Sequence, residues 1–154
     1  MEGSNTKVLI LIGSESDREV MSRTTAVLGE LGVTCRLEVA SAHRSPRRVR
    51  ELVEEGEKQG VLVFVCAAGM AAHLAGAVAA LTTRPVIGVP LVAPPFSGLD
   101  ALLSTVQMPR GVPVATVAAG EHGATNAGIL AAQILALADP DLAQRLNARY
   151  GRGL

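Results

Sequence analysis

The segment SAHRSP at residues 41–46 places a histidine directly before an arginine. Histidine titrates near neutral pH, so His43 can give and take a proton in general acid–base catalysis. Arg44 carries a planar guanidinium group, which matches the oxygen atoms of a phosphate. The alternative is that both are surface residues at the entrance to a helix, and their position in the sequence leaves both interpretations open.

A second polar segment, GSESD at residues 13–17, offers groups that suit a phosphate. Ser14 and Ser16 supply hydroxyl groups, and a helix that starts here leaves backbone N–H groups available to an anion. Asp17 would repel a phosphate, so we expect it to accept hydrogen bonds from sugar hydroxyls. Serine and aspartate are also common helix N-caps, so an ordinary cap is the alternative.

The segment CAAGMAAHLAG at residues 66–76 is built mainly from small side chains. Small residues around Gly69 let the backbone approach a ligand closely. We place His73 one turn into the following helix, where a hydrogen-bonded structural histidine is the alternative to a role beside the site. The three histidines, the third being His122, lack the spacing of a metal site, and no cluster of acids or cysteines joins them. We therefore predict no metal.

These segments need elements that bring them together, and the chain alternates between apolar runs and helical periodicity. The pattern predicts strands at 7–13, 33–40, 61–67, 85–91 and 112–118. Predicted helices lie at 17–32, from 45 onward, at 71–81, within 93–109, at 123–138 and at 139–149. Such alternation is typical of an α/β fold, a parallel sheet with helices on both faces. We predict a single domain over residues 1–154.

Ligands of such sheets bind beyond the carboxyl ends of the strands. The loops that follow the five predicted strands are therefore the candidates for a site: 13–17, 40–46, 66–72, 90–98 and 118–123. The segments that contain Ser14, His43 and Gly69 all belong to this set.

The composition excludes several classes of partner. Basic and acidic side chains number 14 each, and the resulting net charge of zero gives no electrostatic footprint for nucleic acid or an anionic membrane. Aromatic side chains make up 2% of the chain, too few for a base-stacking platform or the walls of a flavin site. With 49% hydrophobic and 18% charged residues, the chain can bury a sizeable core.

Residues 60–83 are long and apolar enough to span a bilayer. The run nevertheless divides into a strand, a glycine turn and an alanine-rich helix, so we predict no membrane span. The N-terminus carries no secretory signal, which predicts a cytoplasmic protein with Cys35 and Cys66 as free thiols. Arg84 is the only formal charge in 59–99, and a helix that is apolar on every face must be covered, which predicts subunit contacts.

Six segments occur in an order and at intervals that resemble one known family: GSESD, SAHRSP, AAGMAAHLAG, PVIGVP, SGLDALLSTVQMPRGVPVATVA and NAGILAAQIL. Over roughly residues 7–147 the set is similar to the 5-(carboxyamino)imidazole ribonucleotide mutases of purine biosynthesis, in the bacterial class I form. The resemblance implies a flavodoxin-like three-layer αβα sandwich with a five-stranded parallel sheet, assembled as a homo-octamer. It also implies an isomerase that needs no cofactor and no metal. Its reaction would move a carboxylate from the exocyclic nitrogen of an aminoimidazole ribonucleotide to the ring carbon C4.

The same resemblance implies roles for individual residues. Those that would hold the ribose phosphate are Ser14, Ser16, Asp17, Ser41 and Arg44. His43 matches the acid–base residue of the family. The backbone around four residues would enclose the carboxylate, or the carbon dioxide released in transit: Ala42, Ala68, Gly69 and Leu74. His73 and Met70 are expected beside these groups, where Met70 adds bulk to the carboxylate pocket.

Rival functions on this kind of fold need different residues. A phosphorylated receiver needs an aspartate at the end of the third strand, where this chain has Cys66-Ala67-Ala68, and an electron carrier needs aromatic walls. A carboxylase that uses free carbon dioxide usually has lysine after the histidine, where this chain has Arg44, and it is the alternative enzyme. A non-catalytic nucleotide-binding relative is the other alternative, since Met70, where the family usually has glycine, can spoil the pocket.

Overall fold

The computed structural model describes residues 5–151, within which five parallel strands form one sheet. The strands are β1 (Val8–Ile12), β2 (Cys35–Val39), β3 (Val63–Gly69), β4 (Val86–Leu91) and β5 (Ala115–Thr116). Their order across the sheet is β2-β1-β3-β4-β5, and every neighbouring pair is parallel. All residues of β1 and β4 are buried, as expected for strands covered on both faces.

Six α-helices in the described residues connect and cover the strands. They are α1 (Arg18–Glu30), α2 (Pro46–Lys58), α3 (Leu74–Ala79), α4 (Leu99–Val106), α5 (Gly120–Ala136) and α6 (Pro140–Arg149). A 3₁₀ turn, Glu15–Asp17, precedes α1. Prolines stand at the start of α2 and α6, where the missing N–H has no helical partner to lose.

Separate apolar cores lie on the two faces of the sheet. Side chains alternate along β1, so that Val8 and Ile10 join one core while Leu9 and Leu11 join the other. Helices α1, α5 and α6 cover the first face, and α2 and α3 cover the second. This three-layer arrangement confirms the predicted flavodoxin-like fold.

The end of β3 and the start of α3 differ from the prediction. The strand runs on to Gly69, and the helix occupies Leu74–Ala79 instead of 71–81. Met70 has a left-handed backbone (φ +55°), which redirects the chain after the strand and delays the helix. His73 is therefore the residue that precedes the first helical turn, and its placement one turn into the helix was wrong.

Strand β5 is much shorter than the predicted 112–118. Only two of its residues pair with β4, Ala115 with Ile87 and Thr116 with Gly88. Pro113 has no N–H to give to the ladder, which limits the pairing of this edge strand. The predicted division of residues 60–83 is confirmed, since they form β3 and α3, and within residues 5–151 no helix has the length and hydropathy to cross a membrane.

Candidate active site

The loop after β1 is held together by its own polar groups. The Asp17 carboxylate accepts a hydrogen bond from the Ser14 backbone N–H at 3.1 Å, and the Ser14 hydroxyl accepts the N–H of Ser16 at 3.4 Å. The Ser16 hydroxyl donates to that of Ser14 at 3.0 Å. Burial raises the pKa of the Asp17 carboxyl, against the smaller lowering effect of the Ser14 N–H. The N-cap expected as an alternative is thus present.

The loop after β2 is a tight turn locked by two serines. The Ser45 hydroxyl donates to the Ser41 carbonyl at 3.2 Å and accepts the Ser41 N–H at 3.0 Å. The Ser41 hydroxyl accepts the backbone N–H of Arg44 at 3.2 Å. Because the turn is fixed from within, the side chains of His43 and Arg44 are presented at its exposed surface.

The turn after β3 meets the histidine of the previous loop. Nε2 of His43 lies 3.0 Å from the carbonyl oxygen of Ala71. A carbonyl only accepts, so Nε2 carries a proton in this contact, and Nδ1 is the nitrogen that can take one up. The ring of His73 stands edge-on to that of His43, with the ring centres 4.9 Å apart. The turn therefore fixes both the position and the tautomer of His43.

These three segments line one cavity of about 440 Å³ at the carboxyl ends of β1, β2 and β3. The strand order reverses between β1 and β3, which is where sheets of this type bind ligands. Every residue predicted for the site lines this cavity: Ser14, Ser16, Asp17, Ser41, Ala42, His43, Arg44, Ala68, Gly69, Met70, His73 and Leu74. Its volume lies within the range of small-molecule sites.

The cavity has two chemically different walls. The loops after β1 and β2 form a polar wall of serine hydroxyl groups, the Asp17 carboxylate, the His43 imidazole and the Arg44 guanidinium group. Arg44 has no carboxylate within 4.0 Å among residues 5–151, so no ion pair has to break before it binds an anion. The end of β3 and the turn that follows, together with Ala42 from the loop after β2, form a wall of small and apolar residues. A ligand with a phosphate at one end and a compact base at the other matches both.

The sequence model of the AIR carboxylase family matches residues 7–152. The chain belongs to this family. It is 51% identical over 140 residues to the N5-carboxyaminoimidazole ribonucleotide mutase of Bacillus subtilis, which is 91% of this chain and 86% of that protein. The mutase of Haemophilus influenzae is 49% identical over 142 residues, 92% of this chain and 87% of its own length. The crystal structure of Treponema denticola PurE is similar with a TM-score of 0.86 and 28% identity, over 94% of this chain and 89% of that chain.

Three residues that line the cavity of this AIR carboxylase family member were not predicted for the site: Gly13, Ala71 and Ala93. All three lie in loops that were candidates on position alone. Ala71 contributes a backbone carbonyl, and because every residue type has one, the sequence could not predict this role. The fifth candidate loop, 118–123, supplies none of the described residues that line the cavity.

The two cysteines lie apart from this chemistry. Cys66 is buried in β3 and Cys35 is half-buried in β2, both as free thiols, and burial raises the pKa of each. Neither thiol is activated as a nucleophile. Within the described part of the chain, no group of three or more His, Cys, Asp or Glu side chains is placed to hold a metal ion.

Proposed function

We propose that this chain is an N5-carboxyaminoimidazole ribonucleotide mutase, which moves the substrate's carboxylate from the exocyclic nitrogen to ring carbon C4 in purine biosynthesis. The observation that carries the proposal is the meeting of His43, Arg44 and the Ser14–Asp17 loop at one 440 Å³ cavity, in a chain of this family. Relatives that are 48–51% identical bear the mutase name, which supports internal transfer over the use of free carbon dioxide.

The polar wall binds the ribose phosphate. Arg44 supplies a planar set of donors for the phosphate oxygens. Ser16 donates to Ser14, and Ser41 accepts the backbone N–H of Arg44, so the hydroxyl protons of Ser14 and Ser41 can point to the phosphate. The second oxygen of the Asp17 carboxylate accepts from a ribose hydroxyl, while the first is held by the Ser14 N–H.

His43 moves the protons of the reaction. It protonates the exocyclic nitrogen, the carbon–nitrogen bond breaks with its electron pair going to nitrogen, and carbon dioxide is released. Carbon C4 of the imidazole then attacks the carbon dioxide and forms the new carbon–carbon bond. The proton on C4 returns to His43, so the histidine ends in its starting state and the product is an isomer of the substrate. No cofactor takes part in this scheme.

The small-residue wall keeps the released carbon dioxide next to C4. Ala42, Ala68 and Gly69 bring apolar groups and backbone close to the reacting atoms, and Leu74 is buried behind them. A dry, narrow space slows the escape of carbon dioxide and the entry of water. His73 packs against His43 and limits the motion of its ring.

The proposed enzyme works as a homo-octamer in the cytoplasm, as the resemblance and the sequence imply. Support for assembly comes from the α4 surface, a set of apolar side chains that are between 48% and 65% exposed: Val92, Phe96, Leu99, Leu103 and Val106. Exposed apolar patches of this kind mark protein–protein contacts. Helix α3, predicted at subunit contacts, instead packs its larger side chains inside the chain, which makes the α4 surface the stronger candidate.

The purified protein can be tested with two substrates. We expect rapid conversion of the carboxyamino ribonucleotide to the C4 carboxylate without added bicarbonate, and slow conversion of aminoimidazole ribonucleotide with bicarbonate. The opposite preference would identify a carboxylase that uses free carbon dioxide. Conversion of neither, with retained binding of the product ribonucleotide, would identify a non-catalytic relative.

A further inference from the structure

Met70 has an unfavourable backbone conformation, and its side chain lines the cavity. Its φ of +55° lies in the left-handed region, which a residue with a Cβ rarely adopts and which glycine occupies freely. Its side chain lines the cavity and is 59% exposed. Strained non-glycine residues persist where the surrounding structure holds them, and they cluster at functional sites.

The residue that follows Met70 links this backbone to the site. The Ser104 hydroxyl donates its proton to the carbonyl oxygen of Asp100 and lies only within 3.4 Å of the Met70 carbonyl oxygen. The next carbonyl, that of Ala71, accepts Nε2 of His43 at 3.0 Å and the N–H of His73 at 2.9 Å. Met70 is therefore linked through the next residue to the proposed acid–base residue, on the small-residue wall of the cavity.

The other apolar neighbours on this side of the cavity cannot reach across a ligand, and the exposed ring of His73 is already packed edge-on against His43. Ala68, Gly69 and Ala93 have short side chains or none, and Leu74 is 1% exposed because it belongs to the core. Met70 is thus the long apolar side chain that is both in the described lining and exposed. A thioether is flexible, apolar and attracted to aromatic rings, so it suits a cover over a flat heterocycle.

We propose that the Met70 side chain closes the cavity over the imidazole of the substrate and retains the carbon dioxide that is released during transfer. This rests on the proposed function. It adds a residue that determines what share of the released carbon dioxide is captured by C4 and what share escapes to solvent. The bulk expected to narrow the carboxylate pocket stands at its mouth, where it seals the site instead of blocking it.

The test is the fraction of carboxylate that stays with the enzyme. Substrate with a ¹³C-labelled carboxylate is converted in excess unlabelled bicarbonate, and labelled and unlabelled products are counted by mass spectrometry. The ratio does not depend on how much of a variant is folded. Three variants separate the effect of the side chain from that of the left-handed backbone. Met70→Leu keeps the side-chain bulk, Met70→Ala removes the bulk but keeps the backbone strain, and Met70→Gly removes both.

We expect the wild type and Met70→Leu to retain most of the label, and Met70→Ala and Met70→Gly to show a several-fold rise in unlabelled product. Label retention by all variants would overturn the closure by Met70 and leave the proposed function intact. A rise in Met70→Gly alone would overturn it as well, because the backbone and not the side chain would then control the leak. Loss of label by the wild type would overturn the proposed function and, with it, this role of Met70.

Discussion

Replacing Arg44 with alanine tests whether the polar wall of the cavity binds a phosphate. The guanidinium group has no carboxylate within 4.0 Å in residues 5–151, so the substitution breaks no ion pair. The hydrogen bond from its backbone N–H to Ser41 does not need the side chain and is kept. The variant therefore loses only what the side chain gives to a ligand.

The size of that loss follows from the value of a charged hydrogen bond, about 1.5–3 kcal/mol. At about 1.4 kcal/mol for each tenfold change, the dissociation constant should rise about 10- to 150-fold. Because Arg44 is exposed, salt screens its charge, and at physiological ionic strength we expect a value toward the lower end. Lowering the salt concentration should enlarge the difference.

Isothermal titration calorimetry with two matched ligands isolates the phosphate. The product ribonucleotide should bind the Arg44→Ala variant more weakly, while the ribonucleoside, which lacks only the phosphate, should bind it almost as it binds the wild type. Arg47→Ala is the matched control, since Arg47 is an exposed arginine of α2 outside the described lining of the cavity. Equal weakening of both ligands would mean that Arg44 shapes the loop, and equal effects of the two substitutions would mean that only the general charge matters.

Three further predictions concern catalysis, stability and assembly. His43→Asn should lower turnover about 10²- to 10⁴-fold and leave ribonucleotide binding nearly intact. The control His122→Asn, at a residue outside the described lining of the cavity, should leave turnover and binding unchanged. A near-normal rate for His43→Asn would contradict the proton transfer by His43. Burial raises the pKa of Asp17 above its ordinary value near 3.8, so its charged form destabilises the fold at neutral pH. Urea unfolding should show that Asp17→Asn is more stable than the wild type at pH 7 and that this gain vanishes below about pH 3.8. A gain in stability that does not depend on pH would refute this cause. Light scattering should give the wild type a mass of eight 15.9 kDa chains, and Leu103→Asp, at a side chain that is 55% exposed, should give a smaller assembly whose chains are still folded. A monomeric wild type would contradict the assembly.

The sequence predicted the sheet and the position of the cavity because both follow from strong local patterns. Buried runs such as residues 8–12 and the helix start at Pro46 have clear signals, and ligand sites of parallel sheets lie at one edge. Polar residues after β1 and β2 were therefore expected to meet. Their proposal as site residues came from residue types at the strand ends, together with the family resemblance.

Other features of the fold and of the site could not be predicted from the residue types in the sequence. The acceptor for His43 is the backbone carbonyl of Ala71, which any residue could supply. The shortened α3 follows from the left-handed backbone of Met70, a conformation that methionine does not suggest. Pro113 is a sequence signal for a shorter β5, and the prediction of a strand over 112–118 did not take it into account.

Internal transfer of the carboxylate can be followed directly on a substrate that carries ¹³C in the carboxylate and ¹⁵N at the exocyclic nitrogen. In excess unlabelled bicarbonate, the one-bond coupling between the two labels should disappear from the NMR spectrum as a ¹³C-labelled carboxylate appears on C4, with little label in bicarbonate. The His43→Asn variant should keep the coupled signal of the intact substrate. Product with an unlabelled C4 carboxylate, and label that accumulates in bicarbonate, would contradict transfer within the cavity.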